Sequence, residues 1–170
     1  AIVRSWGSSE GQENMNAELK AQLDALVLDY AHAIDDRDVE RWPAFFTVDA
    51  RYQITTRNNH EADLPIGIML CTSRAMMADR MLALNTANIF EPHTYCHLLG
   101  PASYRENEDG SIAARSNFTI IRTMQSGLSE VFAVGKYVDQ IKPEDGALLF
   151  SERIVVLESS RVDILIVYPL

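Results

Sequence analysis

From His93 onward the chain consists of β-rich segments, roughly 93–105, 111–125, 129–141, 147–158 and 161–168, and none of the intervals between them could hold a helix. A parallel pair of strands needs a crossover of about a dozen residues or more, whereas an antiparallel pair needs only a tight turn. Turn chemistry is what separates these segments: Asn107 to Gly110, Ser126 with Gly127, and Pro143 to Gly146 each join Gly to Asn, Asp, Ser or Pro. Nearly half of the chain is thereby committed to an antiparallel meander.

The N-terminal half has a different pattern. Leu19, Leu23, Leu26, Val27, Tyr30 and Ile34 recur at helical spacing, with Asn16 as N-cap and Glu18 in the first turn, which predicts an amphipathic helix of about five turns. A second short helix is expected over 38–46, broken by Pro43, with Trp42, Phe45 and Phe46 as core anchors. A strand follows over 51–57, then a polar loop over 58–65 and a brief strand over 66–71. Ser73 caps a helix that carries Met76, Met77, Met81 and Leu84 on one face. Helices grouped ahead of a run of strands, without βα alternation, make an α+β protein with helices on one face of a curved, mostly antiparallel sheet. At 170 residues one core suffices, so 16–170 is expected to be a single domain and 1–15, rich in Ser, Gly, Glu, Gln and Asn, a flexible tail.

Charge and composition exclude several functions. Fifteen Lys and Arg against 24 Asp and Glu leave a net charge of −9, and no basic stretch offsets it, so nucleic acid is not an expected partner. No apolar run approaches the roughly 18 residues that would span a bilayer, and residues 1–16 lack the apolar segment of a secretion signal, so no membrane partner and a cytoplasmic location are expected. Cys71 and Cys96 are too few for a disulfide framework and should stay reduced. Nor do they build a metal centre: Cys96-His97 is half of a ligand set, and Cys71 has no His following it to supply the other half.

The residues that remain for chemistry have ordinary explanations beside the functional ones. His93 and His97, four apart on a strand, share a face and could form an acid/base pair or part of a metal site; a third ligand is not evident. His32 beside the apolar stripe and His60 in the polar loop are expected to be structural. Asp35, Asp36, Asp38 and Asp49 cluster around the helical cap, where turn and capping roles are the default, although a carboxylate facing a desolvated cavity could serve as a base. Tyr30, Tyr52 and Tyr95 sit at core spacing. Phosphate-binding loops and a nucleophile elbow are missing. Among the basic residues Lys20, Lys136 and Lys142 are the only lysines, and the predominance of Arg, with its bidentate fork, favours interfaces.

Taken in order along the chain, certain segments resemble a known family. They are Trp42 to Tyr52, Asn59-His60, Asp79-Arg80, Ala87 to His93 with His97 following, Glu130 to Tyr137, Ser151 to Ile154, and Tyr168 to Leu170. From about Leu23 to the C-terminus the chain resembles the small (β) subunits of Rieske-type aromatic-ring-hydroxylating oxygenases. Within that family it is most similar to subunits acting on aromatic carboxylates, of the terephthalate dioxygenase or salicylate 5-hydroxylase type; residues 1–14 stand outside the pattern. The resemblance implies an NTF2-like cone with N-terminal helices on the concave face of the sheet. It also implies a non-catalytic subunit with no catalytic, cofactor-binding or metal residues of its own. The Rieske [2Fe–2S] cluster and mononuclear Fe(II) would belong to a large (α) subunit, the chain would trimerise, and an α3β3 hexamer would result. The competing expectation is a stand-alone cone-fold dehydratase or isomerase using Asp35, Asp49, His93 or His97 as its base. A side-chain-filled cone would favour the subunit, and an open pocket with a close His–Asp pair the enzyme.

Overall fold

The computed structural model describes residues 15–87, 91–160 and 166–170. Helix α1 spans Ala17–Asp35, and the Asn16 side chain accepts a hydrogen bond from the Glu18 amide at 2.9 Å, closing the first turn as the capping pattern requires. Leu23, Val27, Tyr30 and Ile34 form its buried face. The expected second helix is a 3₁₀ helix, Val39–Phe45, which has Pro43 inside it and delivers Trp42 and Phe45 to the core.

Strand β1 (Phe46–Thr56) begins earlier than the alternation over 51–57 suggested. The polar loop contains a short helix, α2 (Arg57–Glu61), with the Thr56 hydroxyl accepting from the Asn59 amide. After β2 (Met69–Cys71), the Ser73 hydroxyl accepts from the Met76 amide at the start of α3 (Arg74–Ala87). Then come β3 (His93–Leu99), β4 (Ser103–Glu106), β5 (Ile112–Met124), β6 (Ser129–Glu144) and β7 (Ala147–Leu157). The expected strand 93–105 is thus two strands that both pair with β5. Of the expected strand 161–168, residues 161–165 lie outside the described residues, and Ile166 to Leu170 are not in a strand. The expected tail also lies outside them, apart from Met15, as does part of the segment Ala87 to His93.

All seven strands make one sheet in the order β2-β1-β7-β6-β5-β3, with β4 pairing β5 off the path. The meander β5-β6-β7 is antiparallel as its turns dictate, and in the last hairpin Asp145 and Gly146 both take positive φ, 51° and 81°. The exception is β1, which pairs parallel with β7 and thereby joins the N-terminal half of the chain to the meander. Side chains alternate between two faces. Tyr52, Ile54, Phe118, Tyr137, Ile141, Phe150, Arg153 and Val155 face inward, toward α1 and the 3₁₀ helix, and are buried. Their neighbours Arg51, Arg115, Lys136, Val138, Glu152 and Ile154 face the other way and stay partly or wholly exposed.

Candidate functional site

The interior of the cone is filled by side chains of both the sheet and the helices. Trp42, Arg153, Tyr30, Tyr52, Tyr137, Phe46, Phe118 and Phe150 are fully buried there, and their rings meet edge-on or stacked: Trp42 with Tyr52 at 4.9 Å, Tyr30 with Phe150 at 5.7 Å, Phe118 with Tyr137 at 4.4 Å. Gly135 permits the last contact. A Cβ there would lie 2.3 Å from the Val156 carbonyl oxygen and 2.9 Å from the Phe118 ring.

A charge sits at the centre of this packing. Arg153 donates from Nε and Nη2 to the two oxygens of Asp139 at 2.9 and 2.8 Å, and both side chains are sealed from water. The guanidinium carbon also lies 4.0, 4.3 and 3.9 Å from the ring centres of Tyr30, Tyr137 and Phe150. Burial works against the charge of Arg153, but the Asp139 carboxylate beside it prevails and holds the guanidinium above its ordinary value. Burial also pushes the Asp139 carboxyl upward against the pull of Arg153. The bidentate geometry pairs both carboxylate oxygens with the guanidinium, while Arg153 Nη1 is buried without a hydrogen-bond partner among the described residues and faces the surrounding rings. This pair was not singled out in the sequence, where Asp139 and Arg153 are two unremarked members of alternating strands.

The end of the chain is tied into the same core. Tyr30 donates its hydroxyl proton to the Leu170 carbonyl at 2.9 Å and accepts from Trp42 Nε1 at 3.2 Å. Tyr52 donates to the same carbonyl at 3.1 Å and accepts from the Leu170 amide at 2.9 Å. Tyr30 and Tyr52, expected to be packing residues, are therefore also the anchors that hold Leu170 in the core. Desolvation raises both phenols above their usual pKa, and that of Tyr137 as well.

Of the candidate bases, the structure brings two together. The Asp35 carboxylate accepts from His97 Nδ1 at 2.5 Å and from the His97 amide at 2.8 Å, so Asp35 pins strand β3 to the end of α1 instead of serving only as a helix terminus. The His97 ring is fully buried and its Nε2 has no partner among the described residues. The Asp35 side chain keeps 19% of its surface exposed, and neither residue lines the clefts described below. His93 shares its strand face, as period two requires, and its Nδ1 donates to the Glu91 carbonyl at 2.8 Å while its ring packs against Tyr95 and Tyr168. Asp49 is exposed on the opposite face of the sheet, Asp36 and Asp38 are exposed beside α1, and His32 is exposed on it. His60 is half-buried beside Lys136, and burial first and that cation second lower its pKa. Met77 and Met81 fill the core while Met76 is exposed; Cys71 is buried, Cys96 exposed, and both are free thiols. Among the described residues no group of three or more His, Cys, Asp or Glu is placed to hold a metal ion, and no helix is long and apolar enough to cross a membrane.

Open space lies on the outer face of the sheet. A cleft of about 770 Å³ is bordered by Asp49, Glu108, Glu144 and Lys142 at the end where the β4–β5 and β6–β7 turns meet. A second, of about 650 Å³, is bordered by Arg51, Arg105, Arg115, Lys136 and the α2 segment.

An α+β cone whose interior is closed by an ion pair and aromatic rings defines an NTF2-like scaffold. Residues 30–163 match the family described as "Ring hydroxylating beta subunit", and the chain belongs to that family. It is 40% identical over 149 residues to a terephthalate 1,2-dioxygenase terminal oxygenase component β subunit of Comamonas sp., covering 88% of this chain and 97% of that one. Over 160 residues it is 34% identical to the anthranilate 1,2-dioxygenase small subunit of Burkholderia cepacia, covering 93% and 99%. Among solved structures, a β subunit assigned to an aromatic-ring-hydroxylating dioxygenase of Novosphingobium aromaticivorans superposes with a TM-score of 0.81 at 29% identity, over 90% of this chain and 97% of that one.

Proposed function

We propose that this chain is the non-catalytic β subunit of an oxygenase that hydroxylates an aromatic carboxylate, and that it serves as a scaffold on which large α subunits are arranged. The observation that carries the reading is the filled cone: Arg153, Asp139 and their surrounding rings occupy the volume that a substrate would need. The relatives named for terephthalate and anthranilate dioxygenation both act on carboxylate-bearing rings, which supports the substrate class of the assembled enzyme. In this reading the domain is residues 16–170, β subunits form a trimer, and three α subunits complete an α3β3 particle. The Rieske cluster and the mononuclear iron are carried by α, and the trimer sets neighbouring α subunits so that electrons cross from one cluster to the next subunit's iron. No residue of this chain is catalytic.

Co-expression with the α chain tests the proposal. The expected result is a hexamer with iron and turnover, while the β chain purified alone has neither. Turnover of an aromatic or a hydroxyacyl substrate by the isolated, metal-free chain would overturn it.

A further inference from the structure

We propose that the cone holds a receptor pocket for a short peptide segment ending in leucine, and that residues 166–170 of this chain occupy it in cis as a detachable ligand. The inference goes beyond the scaffold reading and does not depend on it. Residues 166–170 are in no strand, yet Val167 to Leu170 are buried and Leu170 is fully enclosed. Buried backbone groups need partners, which a strand finds in its ladder. The amide and carbonyl of Leu170 find theirs in side-chain hydroxyls from two separate elements.

Tyr52, on β1, donates to the Leu170 carbonyl at 3.1 Å and accepts from the Leu170 amide at 2.9 Å, so one phenol reads both polar groups of a single residue. Tyr30, on α1, is a second donor to the same carbonyl at 2.9 Å, and its oxygen is fixed by Trp42 Nε1 at 3.2 Å. Burial raises both phenols above their ordinary pKa, so both hydroxyls keep the proton they donate. Aromatic walls complete this end: Trp42 and Phe46 stand edge-on to Tyr52, with ring centres 4.9 and 5.9 Å away. At the other end Tyr168 seats its ring against His93 and Tyr95 of β3, at 5.4 and 5.8 Å. These walls belong to α1, the 3₁₀ helix, β1 and β3, each held by its own helix or ladder bonds. The pocket therefore selects a neutral N–H and C=O on one residue, joined to an apolar branched side chain, and rejects a charge in that position.

The test uses the full chain carrying Leu170→Asp, which expels the segment because a carboxylate is not tolerated in the apolar interior. The probe is acetyl-Val-Tyr-Pro-Leu-amide carrying a fluorophore, and anisotropy should show saturable binding to this variant. Wild type should bind the probe about tenfold more weakly or worse, because its own segment competes at an effective concentration of about millimolar. Adding Tyr52→Phe to Leu170→Asp removes both bonds of that phenol and should weaken binding about tenfold. A probe with Asp in place of Leu should not bind. No binding to a folded Leu170→Asp chain, or equal binding with and without Tyr52→Phe, overturns the proposal. For a Leu170→Asp chain that does not fold, hydrogen exchange on otherwise wild-type protein decides. The Leu170 amide should exchange through an opening that leaves Leu23 and Val27 of α1 protected, and about tenfold faster in Tyr52→Phe. Release of the Leu170 amide only together with those of α1 would show that the segment does not detach, and would also overturn the proposal. Co-expression with α tests the scaffold reading separately, so failure of one leaves the other standing.

Discussion

The two faces of one sheet have opposite fates. Along β6 and β7, Tyr137, Asp139, Arg153 and Val155 point inward and are shut away from water, while Lys136, Val138, Glu152 and Ile154, one position along each strand, point outward and stay partly open. The inner face spends its polar groups on itself: Asp139 on Arg153, Asp35 on His97, and the hydroxyls of Tyr30 and Tyr52 on Leu170. Charged groups on the outer face are mostly in loose or solvated pairs, such as Arg51 with Glu152 at 3.9 Å. Among the described residues the inner face is packed with side chains, and the clefts of about 770 and 650 Å³ lie on the back of the sheet.

Substitutions on the two faces should therefore differ sharply in cost. The largest effect is expected for Asp139→Ala, which leaves a buried guanidinium without its carboxylate and should cost roughly 3–5 kcal/mol by chemical denaturation. Replacing both members by apolar residues should cost far less than either single change, and a double variant as unstable as Asp139→Ala would show that packing, not charge, dominates the centre.

High pH should strain the inner face next. Tyr30, Tyr52 and Tyr137 have folded-state pKa values raised by burial above the unfolded value of about 10, so the stability they contribute is fully present below that pH and is lost as pH rises through it. Each phenol that stays protonated in the fold steepens the decline by about 1.4 kcal/mol per pH unit. An absorbance titration of tyrosinate should show these three ionising only together with loss of the fold; reversible ionisation in the intact protein would contradict their enclosure.

Gly135→Ala should follow, at about 1–3 kcal/mol, because its Cβ would press on the Val156 carbonyl and displace the Phe118 ring from Tyr137. Outer-face Arg51→Ala should be smallest, within about 0.5 kcal/mol. A cost for Arg51→Ala equal to that for Gly135→Ala would dissolve the contrast between the faces.

Much of the architecture was legible because it follows from local rules. The cap at Asn16, the stripe from Leu23 to Ile34 and the turns at Gly110, Gly127 and Gly146 lie where short-range chemistry puts them. The buried site was not legible, and the hairpin register shows why. Counting back from the Asp145–Gly146 turn without interruption sets Asp139 opposite Glu152, two carboxylates on the same side of the sheet. A bulge between Gln140 and Ile141 shifts the pairing by one, so that Arg153 stands opposite Asp139 and both point inward. A bulge leaves no mark in alternation or turn composition. Asp35 was read as a helix end for the same kind of reason, since its partner His97 is 62 residues away and nothing local joins them.

By itself, the sequence determined an α+β chain with its helices first and its meander last, because periodicity, capping and turn composition act within a few residues of where they are read. Only the tertiary structure decided that β1 would run parallel beside β7, that the cone would be filled by Arg153 and its rings, and that open space would lie on the outer face. Those outcomes depend on register between distant segments, where a one-residue shift exchanges the buried face for the exposed one.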